Sequence, residues 1–157
     1  MKSEGPEQNL ETLTRALRAG TTDGRRLLHS LDDNPICAVA YDASVPCIIV
    51  EWRDYATAIQ IRYVHECILD LIQKNCACKL LSDDTRLPSI HDDDRRWIVE
   101  SWLPRAFSAG LRLVASKKPE AHFGRVSVDE IRSATSEAIK FSTFDDMDAA
   151  RAWLQSV

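Results

Sequence analysis

The stretch LLSDDTRLPSIHDDDRRWIVESW, Leu80 to Trp102, decides how this chain folds. It holds five aspartates, three arginines and a histidine. Its opening, with the preceding Ala77, Cys78 and Lys79, is a short apolar run bounded by polar residues, which reads as a β-strand. From Asp92 onward the apolar residues recur at helical spacing. The first turn of a helix exposes unpaired N–H groups and a partial positive charge. Carboxylates there stabilise by roughly 0.3–1 kcal/mol each, which accounts for Asp92, Asp93 and Asp94. Strand, loop and helix in that order form half of a βαβ unit. A metal site built from Asp83, Asp84, His91 and Asp92 is not expected, because a hard cation wants about six oxygens and no EF-hand loop is visible.

Working upstream, Ile61, Val64, Ile68, Leu71 and Ile72 form one apolar stripe, with Arg62, Glu66, Asp70 and Gln73 opposite. This predicts an amphipathic helix over 55–75. Before it, ICAVAYD and CIIVEW are apolar runs joined by ASVP, which is hairpin spacing, and RLLHSL (Arg26–Leu31) adds a short strand. Residues 1–25 read as a tail, in which ETLTRALRA can form a short helix and GTTDG ends it. Downstream, Gly110 punctuates the second helix and LRLVAS is a strand. KKPEAHFG is a loop. SVDEIRSATSEA is a short helix with Ser127 and Glu130 at capping-box spacing. IKFSTF is the last strand. A final helix is capped by Asp145 and buries Met147, Ala150, Trp153 and Leu154. The order β-β-β-α-β-α-β-α-β-α predicts an α/β fold: residues 26–157 as one domain, with a mixed sheet of about five or six strands. The early strands should be antiparallel and the later ones parallel through right-handed crossovers.

The 157 residues are 45% hydrophobic and 28% charged, as in ordinary globular domains, and carry a formal net charge of −4. No basic excess suggests nucleic-acid binding. No run approaches the roughly 18 apolar residues of a membrane span, and the start MKSEGPEQNLETL lacks a signal peptide's apolar centre. A cytoplasmic protein is expected. The odd set Cys37, Cys47, Cys67, Cys76 and Cys78 reads as buried structural thiols. The pair Cys76 and Cys78 lacks the two further ligands that zinc requires.

On a helical wheel for the second helix, Ile98, Val99, Trp102, Leu103, Ala106 and Ala109 share a broad face, whereas Trp97 falls among polar residues. That makes Trp97 either an interface anchor or a residue covered by a neighbouring loop. Pro104 removes a backbone donor and crowds the preceding turn, which blurs the wheel. Ligands of α/β sheets favour the carboxyl ends of parallel strands. There Asp84, Arg86, Ser116, Lys117 and His122 make the best small-molecule pocket.

The succession VEW (Val50–Trp52), an amphipathic helix, KLLSDDTRLPSIHDDDRRWIVESWLPRA, GLRLVAS, HFG and FDDMDAARAWL resembles the small bacterial STAS/SEC14-like, SpoIIAA-like domain proteins over residues 26–157. The resemblance implies a STAS-type fold, no catalytic activity, no cofactor and a role as a protein-binding switch or regulatory module. Signalling STAS domains carry a phosphorylatable serine or threonine just before the second helix. Here the corresponding stretch is SIHDDD, with Ser89 nearby, so Asp92–Asp94 are read as permanent charge in place of a phosphate. The expected partner surface is Ser89, His91, Asp92, Asp93, Asp94 and Trp97, with self-association as a further use of that face or of the tail. The alternatives are a small-molecule or lipid-binding SEC14-like domain and a small enzyme using Asp84, His91 and Lys117.

Overall fold

The computed structural model describes residues 18–22, 25–29, 35–54 and 56–157. Seven strands form one sheet in sequential order: β1 (Arg18–Thr22), β2 (Arg25–His29), β3 (Pro35–Asp42), β4 (Cys47–Trp52), β5 (Lys79–Asp83), β6 (Leu113–Lys117) and β7 (Lys140–Phe144). Strands β1 to β4 are an antiparallel meander. Strands β4 to β7 are parallel, each joined to the next through helix. The mixed α/β sheet expected from the residue pattern is therefore present. One strand was not expected: Arg18–Thr22 pairs with β2 instead of belonging to a tail. The rest of the short helix read in ETLTRALRA lies outside the described residues.

Helix α1 (Ala58–Asn75) opens with a capping box, in which the Thr57 hydroxyl accepts from the Gln60 N–H and the Gln60 side chain accepts from the Thr57 N–H. It buries Ile61, Val64, Ile68 and Ile72 as the stripe predicts. The second long helix runs as α2 (Asp92–Trp97), a π-helical stretch Ile98–Trp102 and α3 (Leu103–Ala109). Gly110 ends it at φ 121°, a conformation that disfavours any side chain. Helix α4 (His122–Ala134) follows β6, and α5 (Met147–Ser156) closes the chain.

Crossovers of one hand put α1, α2–α3 and α4 on one face of the sheet. There Val50, Trp52, Leu80 and Val114 meet Ile68, Trp102, Leu103 and Val128 in the main core. The other face is packed by α5, whose Ala150 and Leu154 lie on Cys47, Leu81 and Ala115. Successive strand residues alternate between these layers, as pleating requires.

Three local expectations are corrected. Asp146, not Asp145, caps α5 and accepts from the Ala149 N–H at 2.7 Å; Asp145 pairs with Lys118 at 3.1 Å instead. Helix α4 begins five residues before Ser127, so Ser127 is no cap; it is a buried helical residue whose hydroxyl accepts from the Ile90 N–H at 2.9 Å. Cys37, Cys47 and Cys67 are buried, but Cys76 and Cys78 are exposed. The physical reason is that α1 ends at Asn75 and β5 begins only at Lys79, so both thiols fall in the connection, with Ala77 between them taking the buried position.

Helix α4 approaches the β5–α2 loop unusually closely. A methyl at Gly124 would lie 2.4 Å from the Leu87 carbonyl oxygen and 2.9 Å from Pro119 Cβ. Alanine gains about 1 kcal/mol in helix propensity, but a backbone oxygen at that distance forces the helix outward, and such overpacking costs about 1–3 kcal/mol. Gly124→Ala is expected to lower unfolding free energy in urea titration despite the propensity gain. An unchanged or raised midpoint would show that the helix can shift freely.

Candidate functional site

The loop leaving β5 faces two sites. On its inner side, Leu87 and Ile90 help enclose an apolar cavity of about 70 Å³ between the sheet and the helices, with Trp52, His65, Ile98 and Trp102 also on its wall. Ser82 and Asp84 lie two apart on β5 and its extension, and Ser116 pairs with Ser82 across β5 and β6. The two-residue period therefore turns all three toward the helix-covered face. Asp84 is 5% exposed and accepts hydrogen bonds from the hydroxyls of Ser82 (2.6 Å) and Ser116. Burial raises its carboxyl to about 6, against the opposing effect of both serines.

His65 lies across the cavity from this cluster. Its Nδ1 is 2.7 Å from the Ile61 carbonyl, and the Trp102 indole N–H donates to the His65 carbonyl at 2.7 Å. Its ring packs edge-on to Trp97 and Trp102 and tilted against Trp52. Desolvation in this aromatic setting holds the imidazole down at about 4.

On the loop's outer side, a groove of about 320 Å³ runs between the starts of α1 and α2, lined by Ala56, Ile61, Ser89, His91, Asp93 and Asp94 among others. Four of the six residues expected at a partner surface thus meet in one place. His91 is the cap of α2, its Nδ1 facing the Asp93 N–H at 3.5 Å.

The aspartates are less free than a docking surface of bare charge would need. Asp94 is buried and pairs with Arg62 of α1 at 3.2 Å. Asp92 pairs with Arg95, which also reaches Glu130 of α4 at 2.8 Å. Asp93 lies 3.9 Å from Arg96. Among the described residues no three His, Cys, Asp or Glu side chains are grouped so as to hold a metal ion.

Trp97 is half-buried rather than free. The guanidiniums of Arg62 and Arg105 lie 5.3 and 5.8 Å from its ring centroid, and His65 closes one edge. A regular α-helix would place residues five apart about 140° from each other. The π-helical stretch, with the Leu103 N–H bonded to the Ile98 carbonyl, absorbs an extra residue. Trp97 and Trp102 thereby both reach His65. Pro104 is the sequence signal for this irregularity, since its ring crowds the carbonyl four residues back.

Of the strand-end pocket residues, the structure joins Asp84 to Ser116. Lys117 donates to Thr85 at 2.6 Å. Arg86 instead lines an open polar cleft with Asp54 and Asp83, and His122 is exposed at the start of α4, stacked edge-on to Phe123. The Asp84 N–H donates to the Lys117 carbonyl at 3.2 Å, but the side chains of Asp84, His91 and Lys117 have different partners: the two serines, the Asp93 N–H and Thr85. Sequence reasoning missed His65, Ser82, Trp52 and Trp102 as members of one cavity wall. The alternation along β5 could have shown that Ser82 and Asp84 share a face.

No known protein family matches this chain, and no curated protein matches it either.

The buried Asp84 and the half-buried His65 on the cavity make opposite contributions to pH dependence. Asp84 is raised from 3.8 to about 6, so its stabilising contribution is complete below about pH 4 and is lost as pH rises through 6. His65 is lowered from 6.5 to about 4, so its contribution is complete above about pH 6.5 and is lost as pH falls through 4. Each is on the order of 3 kcal/mol, and the two nearly cancel between these limits. Asp84→Asn should remove one arm, so that denaturant stability falls on acidification across this window by on the order of 2–3 kcal/mol more than in the wild type. Parallel wild-type and mutant profiles would rule out a proton held at Asp84.

Proposed function

We propose that this chain is a non-catalytic regulatory domain of the STAS type that docks a protein partner on the groove where α1 and α2 begin, and that it works in the cytoplasm. The reading is supported by one observation above the others: Ser89, His91, Asp93 and Asp94, picked out by their position before and at the helix start, line a single groove with apolar Ala56 and Ile61. The exposed rim is polar, and beneath it Ala56 and Ile61 are buried in the core. Ile59, 39% exposed, lies at the same end of α1. Because Asp94 is neutralised by Arg62 and the other two aspartates face arginines, recognition rests on shape and hydrogen bonding more than on long-range attraction. Ser89 is exposed on the groove, so a phosphate there would add charge that the paired aspartates do not supply. No described helix is long and apolar enough to cross a membrane.

Affinity capture from extract of the native organism tests this with Asp93→Lys and Ser89→Glu beside the wild type. Both side chains are exposed, so folding should be retained. Loss of the captured partner by at least about tenfold, equivalent to 1.4 kcal/mol, is expected. An unchanged partner set with both variants would remove the groove from consideration.

A second reading, a small-ligand domain, is favoured by the buried carboxyl on an apolar cavity. Ligand pockets usually occupy about 300–1,000 Å³, so the 70 Å³ present suits a small apolar solute with one hydrogen-bond donor for Asp84, not a lipid chain. Titration with indole, followed by methyl NMR of Ile98 and Val114, should give saturable shifts under this reading. The absence of shifts up to the solubility limit would dismiss it.

A further inference from the structure

We propose that the outer face of α4 is a self-association surface, on which two copies of this chain pack antiparallel. The inward face of α4 is accounted for, since Gly124, Ser127, Val128 and Ile131 are buried against the loop and the core. The outward face carries Phe123, 71% exposed, and Val126, 37% exposed. Phe123 is the most exposed large hydrophobic side chain among the described residues. The two are three residues apart and form one apolar ridge. Further along the helix, Val126, Asp129, Glu130, Ser133 and Ala134 line a shallow depression, floored at its far end by two small side chains.

Ridge and depression lie on the same helix, so a two-fold axis can satisfy both at once. From Phe123 to Glu130 is seven residues, about 10 Å along the axis. An antiparallel partner crossing near Val126 therefore brings each Phe123 over the other copy's depression, and Val126 against its own equivalent. A surface that contacts itself in this manner is the isologous kind found in two-fold dimers.

Charge along the helix selects the same arrangement. Arg125 lies in the first half, held by the backbone carbonyls of Glu120 at 2.9 Å and Pro119 at 3.5 Å. The carboxylates Asp129 and Glu130 lie in the second half. Asp129 is only loosely engaged, with Arg132 at 3.5 Å, and is 59% exposed. Antiparallel packing sets Arg125 of each copy beside Asp129 of the other, twice by symmetry. Parallel packing would set like charges together. One helix face is small as interfaces go, so the dimer is a weak one. The surface shares no residue with the groove at the helix starts, and self-association through it leaves that groove open.

The test is sedimentation equilibrium of the full chain from micromolar to submillimolar concentration. A reversible monomer–dimer equilibrium is expected. Phe123→Asp should raise its dissociation constant at least about tenfold, since a central apolar anchor is replaced by a charge. Arg125→Asp should weaken the dimer too, and adding Asp129→Arg to that variant should restore it by recreating both cross-pairs with signs reversed. All of these positions are exposed, so each variant should fold, as circular dichroism would verify. A wild type that stays monomeric throughout, a dimer indifferent to Phe123→Asp, or a failure of the charge swap to restore association would each overturn the proposal.

Discussion

The peptide of Ile90 is bonded on both sides, and the rest of the functional architecture depends on it. Its N–H donates to the Ser127 hydroxyl at 2.9 Å, and its carbonyl accepts from the Arg95 guanidinium at 2.6 Å. These two contacts fasten the loop between β5 and α2 to the middle of α4 and to the first turn of α2. Loops normally keep their backbone at the surface, because buried peptide groups need partners. Here the partners are supplied, so Leu87 and Ile90 can turn inward over the cavity while Ser89 and His91 stay outside on the groove. Gly124 completes the arrangement, since only a residue without a side chain lets α4 come so near the Leu87 carbonyl.

The same economy of contacts explains the acidic cluster. Exposed pairs such as Asp93 with Arg96 contribute about 0–1 kcal/mol and do little for the fold. Asp94 is different, being 3% exposed, and a buried carboxylate with no cation would be destabilising by several kcal/mol. Arg62 meets it across the α1–α2 interface. The pair fixes how the two helices start relative to each other more than it adds net stability. The groove's shape follows from that registration. Arg62 also lies over Trp97, so one arginine ties the cap region to the aromatic cluster around His65.

The parts of the fold set by periodicity were legible in the residues. Strand β4, the apolar stripe of α1 and the parallel βα succession follow from spacing alone, because a two- or 3.6-residue repeat leaves one solution once a face must be buried. The parts that went astray depend on contacts distant in sequence. Ser127 with Glu130 has the spacing of a cap, yet Pro119 lies buried against Gly124 and α4 starts earlier, with a cap residue, Ala121, that makes no side-chain bond. Trp97 looked polar-facing because a wheel assumes a uniform turn, and the π-helical stretch breaks that assumption. Cys78 is read on the strand, which begins one residue later, at Lys79. In the candidate site, the groove residues could be read from the helix start. The Asp84 cluster needed the register of β6 against β5, which a single sequence does not contain.

That register also bears on which of the two sites is used. Among the described residues no buried side-chain nitrogen or oxygen lacks a hydrogen bond. The carboxyl of Asp84 is thus already satisfied by Ser82 and Ser116, and a ligand entering the cavity must displace one of them or share an acceptor. Exchange of one internal hydrogen bond for another gains little, because a net hydrogen bond contributes only about 0.5–1.5 kcal/mol. The remaining affinity would have to come from filling about 70 Å³ of apolar space, enough for a weak complex only. The groove imposes no such exchange: Ser89 and Asp93 are exposed to solvent, above Ala56 and Ile61, which are buried in the core. A partner on the proposed groove would trade water for protein without breaking the internal network. That difference in cost supports the proposed groove over the cavity, while the hydrogen bonds among Ser82, Asp84 and Ser116 tie β5, β6 and the loop together.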